Sequence, residues 1–133
     1  MIKFIIKFLC FKIKKNHVTS GDVSISSLAG NNIIIQKNTS IDRMSEVGSY
    51  TYIGKNCNIT YSSIGRYCSI ANNVSIGQGE HSLSSISTST LFDNNSYENL
   101  TRDSCRIGSD VWIGTDEVIL RGLYIGTGAV IGA

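Results

Sequence analysis

At 133 residues, with 41% hydrophobic and 17% charged side chains, the chain has the size and composition of one globular domain. Its net charge of +2 hides an asymmetry: residues 1–15 hold five lysines and no acid, leaving seven basic and ten acidic residues, a net of −3, in the remainder. A mildly acidic body lacks the electrostatic footprint of a nucleic-acid binder, so that class is excluded.

Residues 1–16 form a separate basic segment. Its apolar residues (Ile2, Phe4, Ile5, Ile6, Phe8, Leu9, Phe11, Ile13) are broken up by lysines, and no run reaches the length of a signal peptide or a membrane span. Lys3, Lys7 and Lys14 share a face if the segment is helical, which makes it amphipathic. Two roles are expected: a cap over the first turn of the body, which is preferred, and contact of residues 1–15 with an anionic membrane surface.

Residues 17–133 read as one domain, and its architecture follows from a repeat. An aliphatic residue recurs every six positions at Ile35, Ile41, Val47, Ile53 and Ile59; one block is a residue short, and Ile64, Ile70 and Ile76 continue the series. After an interruption the phase restarts at Ile107, Ile113, Ile119, Ile125 and Ile131. Gly follows eight of these thirteen rungs, at 48, 54, 65, 77, 108, 114, 126 and 132. Small or modest residues stand four places after most rungs: Thr39, Ser45, Thr51, Cys57, Cys68, Val74, Val111 and Ala129. Asn56, Asn58, Asn72 and Asn73 fall between, where left-handed backbone angles are tolerated.

A period of six fits neither an amphipathic helix nor a long alternating strand. It fits short strands joined by sharp corners, each strand pointing one large and one small residue inward. Three strands close a triangular coil of about eighteen residues, and coils stack at about 4.8 Å. The fold class is therefore all-β, a parallel β-helix with one long loop insertion at 78–106. Glu117 falls on a small inward position, where a buried carboxylate is costly, so a local adjustment is expected there.

Cys10, Cys57, Cys68 and Cys105 show no Cys-x-x-Cys pair and no metal-ligand spacing, and Cys57 and Cys68 fall at inward positions. They read as small core residues in a reduced, cytoplasmic setting, with no metal site.

The interruption is polar, rich in Ser and Thr, and long enough to be functional or disordered. It contains His81, the only histidine within the repeats. The segment IGRYCSIANNVSIGQGEHSLSSISTSTLF, followed by IGSDVWIGTDEVILRGLYIGTGAVIGA, closely resembles the hexapeptide-repeat acyltransferases, in the branch of xenobiotic and polysaccharide O-acetyltransferases. The resemblance covers roughly residues 47–133, and is most specific at Gly79-Glu80-His81, Ser87-Thr88 and Asp110-Val111-Trp112-Ile113-Gly114.

That resemblance implies a left-handed coil, against the general right-handed preference of parallel crossovers. It implies an acetyl-coenzyme A-dependent acetyltransferase, with His81 as general base and a saccharide hydroxyl of O-antigen or capsule type as acceptor. Glu80 is a candidate to orient the imidazole. Trp112, Thr115 and Ala133 fall where the family contacts the cosubstrate, in a cleft between subunits of a homotrimer. Acetyl-coenzyme A enters as cosubstrate, with no tightly bound cofactor. Arg121 reads either as a phosphate contact or as a solvated corner residue, the latter preferred. Members of the family continue past Ile-Gly-Ala, so the chain is expected to stop midway through a coil and to lack part of that cosubstrate site.

Four other readings remain to be weighed. N-acetylation of a nucleotide-linked amino sugar or an antibiotic-like acceptor uses the same chemistry and is the nearest alternative. A truncated, non-catalytic β-helix scaffold is the second. A γ-type carbonic anhydrase needs three zinc-binding histidines, and His17 and His81 are the only two present. Ice binding needs flat Thr-x-Thr ladders, which are absent.

Overall fold

A computed structural model describes residues 14–92 and 102–132. The described residues form fourteen short strands in three parallel sheets, the architecture of a parallel β-helix. The first sheet runs in the order β1 (His17–Val18), β2 (Ile34–Ile35), β5 (Tyr52–Ile53), β8 (Ser69–Ile70), β11 (Trp112–Ile113) and β14 (Val130–Ile131). The second stacks β3 (Ser40–Ile41), β6 (Asn58–Ile59), β9 (Ser75–Gln78) and β12 (Val118–Leu120). The third stacks β4 (Glu46–Val47), β7 (Ser62–Ile64), β10 (Cys105–Ile107) and β13 (Tyr124–Ile125).

Each rung lies in a strand and pairs with the rung one coil away: Ile35 with Ile53, Ile53 with Ile70, and Ile70 with Ile113. Eleven of the thirteen are buried, while Ile125 and Ile131, on the outermost strands of their sheets, are half-buried. Burying an isoleucine contributes about 1.5–3 kcal/mol, so the rung columns are the main stabilising element.

The small inward residues do more than fill space. The Thr39 hydroxyl donates to the Gly54 carbonyl (2.7 Å) and accepts from the Cys57 amide (3.1 Å). Thr51 repeats this two corners later, donating to Gly65 O (3.0 Å) and accepting from Cys68 N (3.2 Å). The thiols of Cys57 and Cys68 donate to Ala71 O (3.2 Å) and Gly108 O (3.1 Å). These groups satisfy corner backbone that strand pairing leaves unmet.

Corners are held by two devices. One is a column of glycines: a Cβ on Gly48 would sit 2.6 Å from Gly65 O, and one on Gly65 would sit 2.6 Å from the Gly108 carbonyl carbon and oxygen. The other is an amide ladder along a second corner, where Asn38, Asn56, Asn73 and Asp116 all adopt positive φ. There Asn38 Nδ2 donates to Asn56 Oδ1 (3.3 Å), Asn56 Nδ2 to Asn73 Oδ1 (3.1 Å), and Asn73 Nδ2 to Asp116 Oδ1 (2.8 Å). Of the asparagines expected to take left-handed angles, Asn56 and Asn73 do. Asn58 instead lies in β6, and the Asn72 carboxamide oxygen caps the Lys55 amide (2.8 Å).

The short block is absorbed at the corner after β6. Tyr61 turns to φ 42°, and its amide donates to both oxygens of Asp42 (3.3 and 3.1 Å).

The coils extend beyond the rungs counted from the sequence, and the interruption has narrower bounds. A complete coil precedes Ile35: Val18 pairs with Ile35, Val23 bridges Ile41, Leu28 is buried, and the Gly30 amide donates to Val47 O (3.0 Å). The interruption is shorter than 78–106, because Gln78 ends β9, and Cys105 and Arg106 pair with Ser62 and Ser63. Glu117 is half-buried, since β12 is the outermost strand of its sheet among the described residues. The local adjustment falls beside it: β12 shifts register against β9 between Ile119 and Leu120, where Ile119 pairs with Ile76 and Leu120 with Gln78.

Residues 1–13, which carry most of the basic segment, lie outside the described residues. Lys14 is engaged by the first coil, its ammonium donating to Leu28 O (2.7 Å) and Ala29 O (3.3 Å).

Candidate active site

Among the described residues the repeat opens at one corner, after β9, and His81 stands three residues beyond that strand. The departure is built by Gly77 and Gln78. Gly77 takes φ 68°, and a Cβ there would lie 2.3 Å from Thr60 O and 2.5 Å from Ser62 Oγ, so only glycine fits. The Gln78 carboxamide turns back onto the preceding coil, donating to Asn58 O (2.9 Å), Thr60 Oγ1 (2.8 Å) and, more distantly, Ile76 O (3.3 Å).

Beyond Gln78 the chain leaves the body. Between residues 79 and 92 the hydrogen bonds among the described residues are local: Ser82 with Ser84, the Ser89 amide to Ser87 Oγ, and Leu91 and Phe92 amides to Ser89. Four apolar side chains here face solvent in the single chain, with Leu83 90% and Ile86 94% exposed and Leu91 and Phe92 also exposed. Clusters of exposed large apolar residues mark contact surfaces.

Both His81 and Glu80 are exposed, and among the described residues neither makes a hydrogen bond. An accessible imidazole can accept a proton from a bound hydroxyl, but nothing described in the single chain orients the ring.

Trp112 belongs to β11 and points outward from the first sheet, 55% exposed. It continues an outer column of Ile34, Tyr52, Ser69, Trp112 and Val130, set by the strand registers. It is thus a face residue, not a corner residue packed between coils. Thr115 occupies the next corner, exposed, its hydroxyl donating to Asn72 O (3.0 Å). Ala133 lies outside the described residues.

Strand direction separates these groups. Thr115 stands where the chain turns into the second sheet, and Trp112 on the face before it; His81 leaves from the opposite edge of that sheet, where its strands end. Within one chain, the topology sets the root of the His81 segment and the Trp112–Thr115 pair at opposite ends of the second sheet's strands.

Arg121 is half-buried, with its guanidinium 5.9 Å from the Tyr61 ring centroid and Nη1 donating to Asp103 O (3.3 Å). Its Nε is buried without a hydrogen-bond partner among the described residues. Beside it, a cleft of about 480 Å³ is lined by Asp103, Ser104, Arg106, Gly122, Leu123 and Tyr124, a concavity the sequence reading missed. Its walls come from the return of the interruption and the outer faces of β10 and β13, which no repeat position singles out.

Burial pushes the thiols of Cys57, Cys68 and Cys105 up from their ordinary range. Desolvation outweighs their hydrogen bonds, which marks them as inert core groups and not nucleophiles. Among the described residues no group of three His, Cys, Asp or Glu is placed to hold a metal ion.

No family model matches this chain, and no curated protein or solved structure is significantly similar to it.

Proposed function

We propose that the chain is an acyltransferase that moves an acetyl group from acetyl-coenzyme A to a hydroxyl of a saccharide, with His81 as general base. The observation that carries this reading is the exposed imidazole where the described repeat opens, on a segment whose apolar side chains await cover. The resemblance of residues 47–133 to hexapeptide-repeat acetyltransferases of left-handed coil supports the same assignment.

A saccharide hydroxyl is too weakly acidic to attack a thioester unaided at neutral pH. His81 takes its proton as the new C–O bond forms. The tetrahedral oxyanion needs a donor, for which a backbone N–H of a coil is suited. The C–S bond then breaks, and the coenzyme A thiolate leaves and is protonated by the imidazolium. No covalent enzyme intermediate is required.

The separation of His81 from Trp112 and Thr115 favours a site shared between copies. In a homotrimer, the segment bearing His81 on one subunit would meet the Trp112 face of the next, and the acetyl-coenzyme A cleft would lie between them. A head-to-tail contact of this kind closes into a ring when its rotation permits. The reaction is assigned to the cytoplasm, where acetyl-coenzyme A is supplied, with residues 1–15 able to rest on an anionic membrane face.

A panel of saccharide and amino-sugar acceptors incubated with acetyl-coenzyme A tests this reading. Acceptor-dependent thiol release, with a product deacetylated by mild alkali, is the expected result. An alkali-stable product would identify N-acetylation instead. Absence of both transfer and coenzyme A binding by calorimetry would leave a non-catalytic scaffold.

A further inference from the structure

We infer that Gln78, with Thr60 and Gly77, forms a knot that positions His81, so that Gln78 is a positioning residue for the site. This rests on the proposed role of His81 for its consequence in turnover, but not for its structural content.

The geometry is that of a built network. Gln78 Nε2 has two hydrogens, and its two shortest acceptors are Thr60 Oγ1 (2.8 Å) and Asn58 O (2.9 Å), both on the preceding coil. The Thr60 hydroxyl passes the chain onward, donating to Gly77 O (3.2 Å). Thr60 O in turn accepts from Ser62 Oγ (2.7 Å), and the Thr60 amide donates to Ile76 O (3.0 Å). Positive φ at Gly77 turns the strand out of the repeat, and the register shift opposite it, with Leu120 pairing Gln78, accommodates the extra residue.

The knot matters because, among the described residues, no other fastening joins the segment to the body. Among the described residues, the hydrogen bonds of 79–92 are made within the segment itself. The last side chain tied to the body before His81 is therefore Gln78, three residues earlier. Where the segment that carries His81 leaves the body is set at that root. A carboxamide is required, since the acceptors are carbonyls and a hydroxyl; a carboxylate of the same shape would face them without a proton to give.

The test compares wild type with Gln78→Glu and Thr60→Val. Three readouts are followed: melting temperature, hydrogen exchange of the residue-60 amide, which donates to Ile76 O beneath the knot, and the ¹H–¹³C signals of the His81 ring. In both variants the expected result is exchange of that amide at least about tenfold faster and a shifted or broadened His81 signal. The other coil amides should keep their protection. Where transfer activity is measured, kcat should fall about ten- to a hundredfold with KM for acetyl-coenzyme A unchanged. In Gln78→Glu, lowering the pH until the introduced carboxylate is protonated should restore protection relative to the intrinsic exchange rate at that pH, whereas in Thr60→Val that protection should not change. Unchanged exchange and an unchanged His81 signal in both variants would overturn the knot. Altered exchange with no acetyl transfer in wild type would retain it while removing the proposed function.

Discussion

Ile70 and His81 stand eleven residues apart and are held in opposite ways. Ile70 lies between Ile53 and Ile113 in a stacked column and is wholly buried. His81 is exposed and has no hydrogen-bond partner among the described residues. In the coils each position is fixed several times over, by a rung above, a rung below and a corner hydrogen bond. In the described part of the interruption the only strong constraint is the root. A repeat can therefore supply a rigid frame, but chemistry has to be placed where the repeat is broken.

That contrast can be broken first in the coils. Ile70→Asp puts an unpaired carboxylate into a dry column, a cost of several kcal/mol against a total stability of about 5–15 kcal/mol. No soluble β-rich protein is expected by circular dichroism; a native-like spectrum would refute the register.

The complementary change is in the interruption. His81→Ala should lower turnover at least about a hundredfold while leaving the melting temperature where it was. Activity unchanged would remove the base assignment, and a large loss of stability would show that the loop is part of the frame after all.

A smaller effect sharpens the role of the corners. Gly65→Ala brings a methyl to 2.6 Å from the backbone of Gly108 on the next coil. The coils must part to admit it, at about 2–3 kcal/mol, read as a lower midpoint in urea. Gly126→Ala, with open space around it, should be close to neutral in the same measurement.

The mildest test concerns the core thiols. Burial raises the pKa of Cys57, Cys68 and Cys105 in the folded chain. Above about pH 8.5 the unfolded thiols ionise first, so the unfolded state binds fewer protons and stability falls as pH rises. Below that range these thiols contribute no pH dependence. A urea midpoint that rises between about pH 8 and 10, the range in which free thiols ionise, would contradict their buried placement.

Much of the frame was legible because its signals repeat. A rung must be large and apolar wherever a strand faces inward, so the series from Ile35 to Ile131 announces itself. The first coil was not legible, since Val18, Val23 and Leu28 are spaced by five and two of the three are valines. Nor was the double duty of Thr39 and Thr51, whose size reads from the sequence but whose hydrogen bonds depend on the neighbouring coil.

At the candidate site, His81 stood out because it interrupts a pattern, yet the chemical role proposed for it rests on resemblance. Gln78 was passed over as the start of the loop, because its tie to Asn58 and Thr60 spans twenty and eighteen residues. Trp112 and Thr115 were legible as residues but not as a pair set at the other end of the second sheet's strands from the root of the His81 segment. Arg121 is half-covered through contacts to Tyr61 and Asp103, which no spacing along the chain announces.

The most direct test is a crystal structure of the protein with coenzyme A bound. The account predicts its sulfur beside His81 of one copy and its chain along the Trp112 face of a neighbouring copy. Coenzyme A seated within a single subunit, or bound with its sulfur remote from every His81, would contradict it.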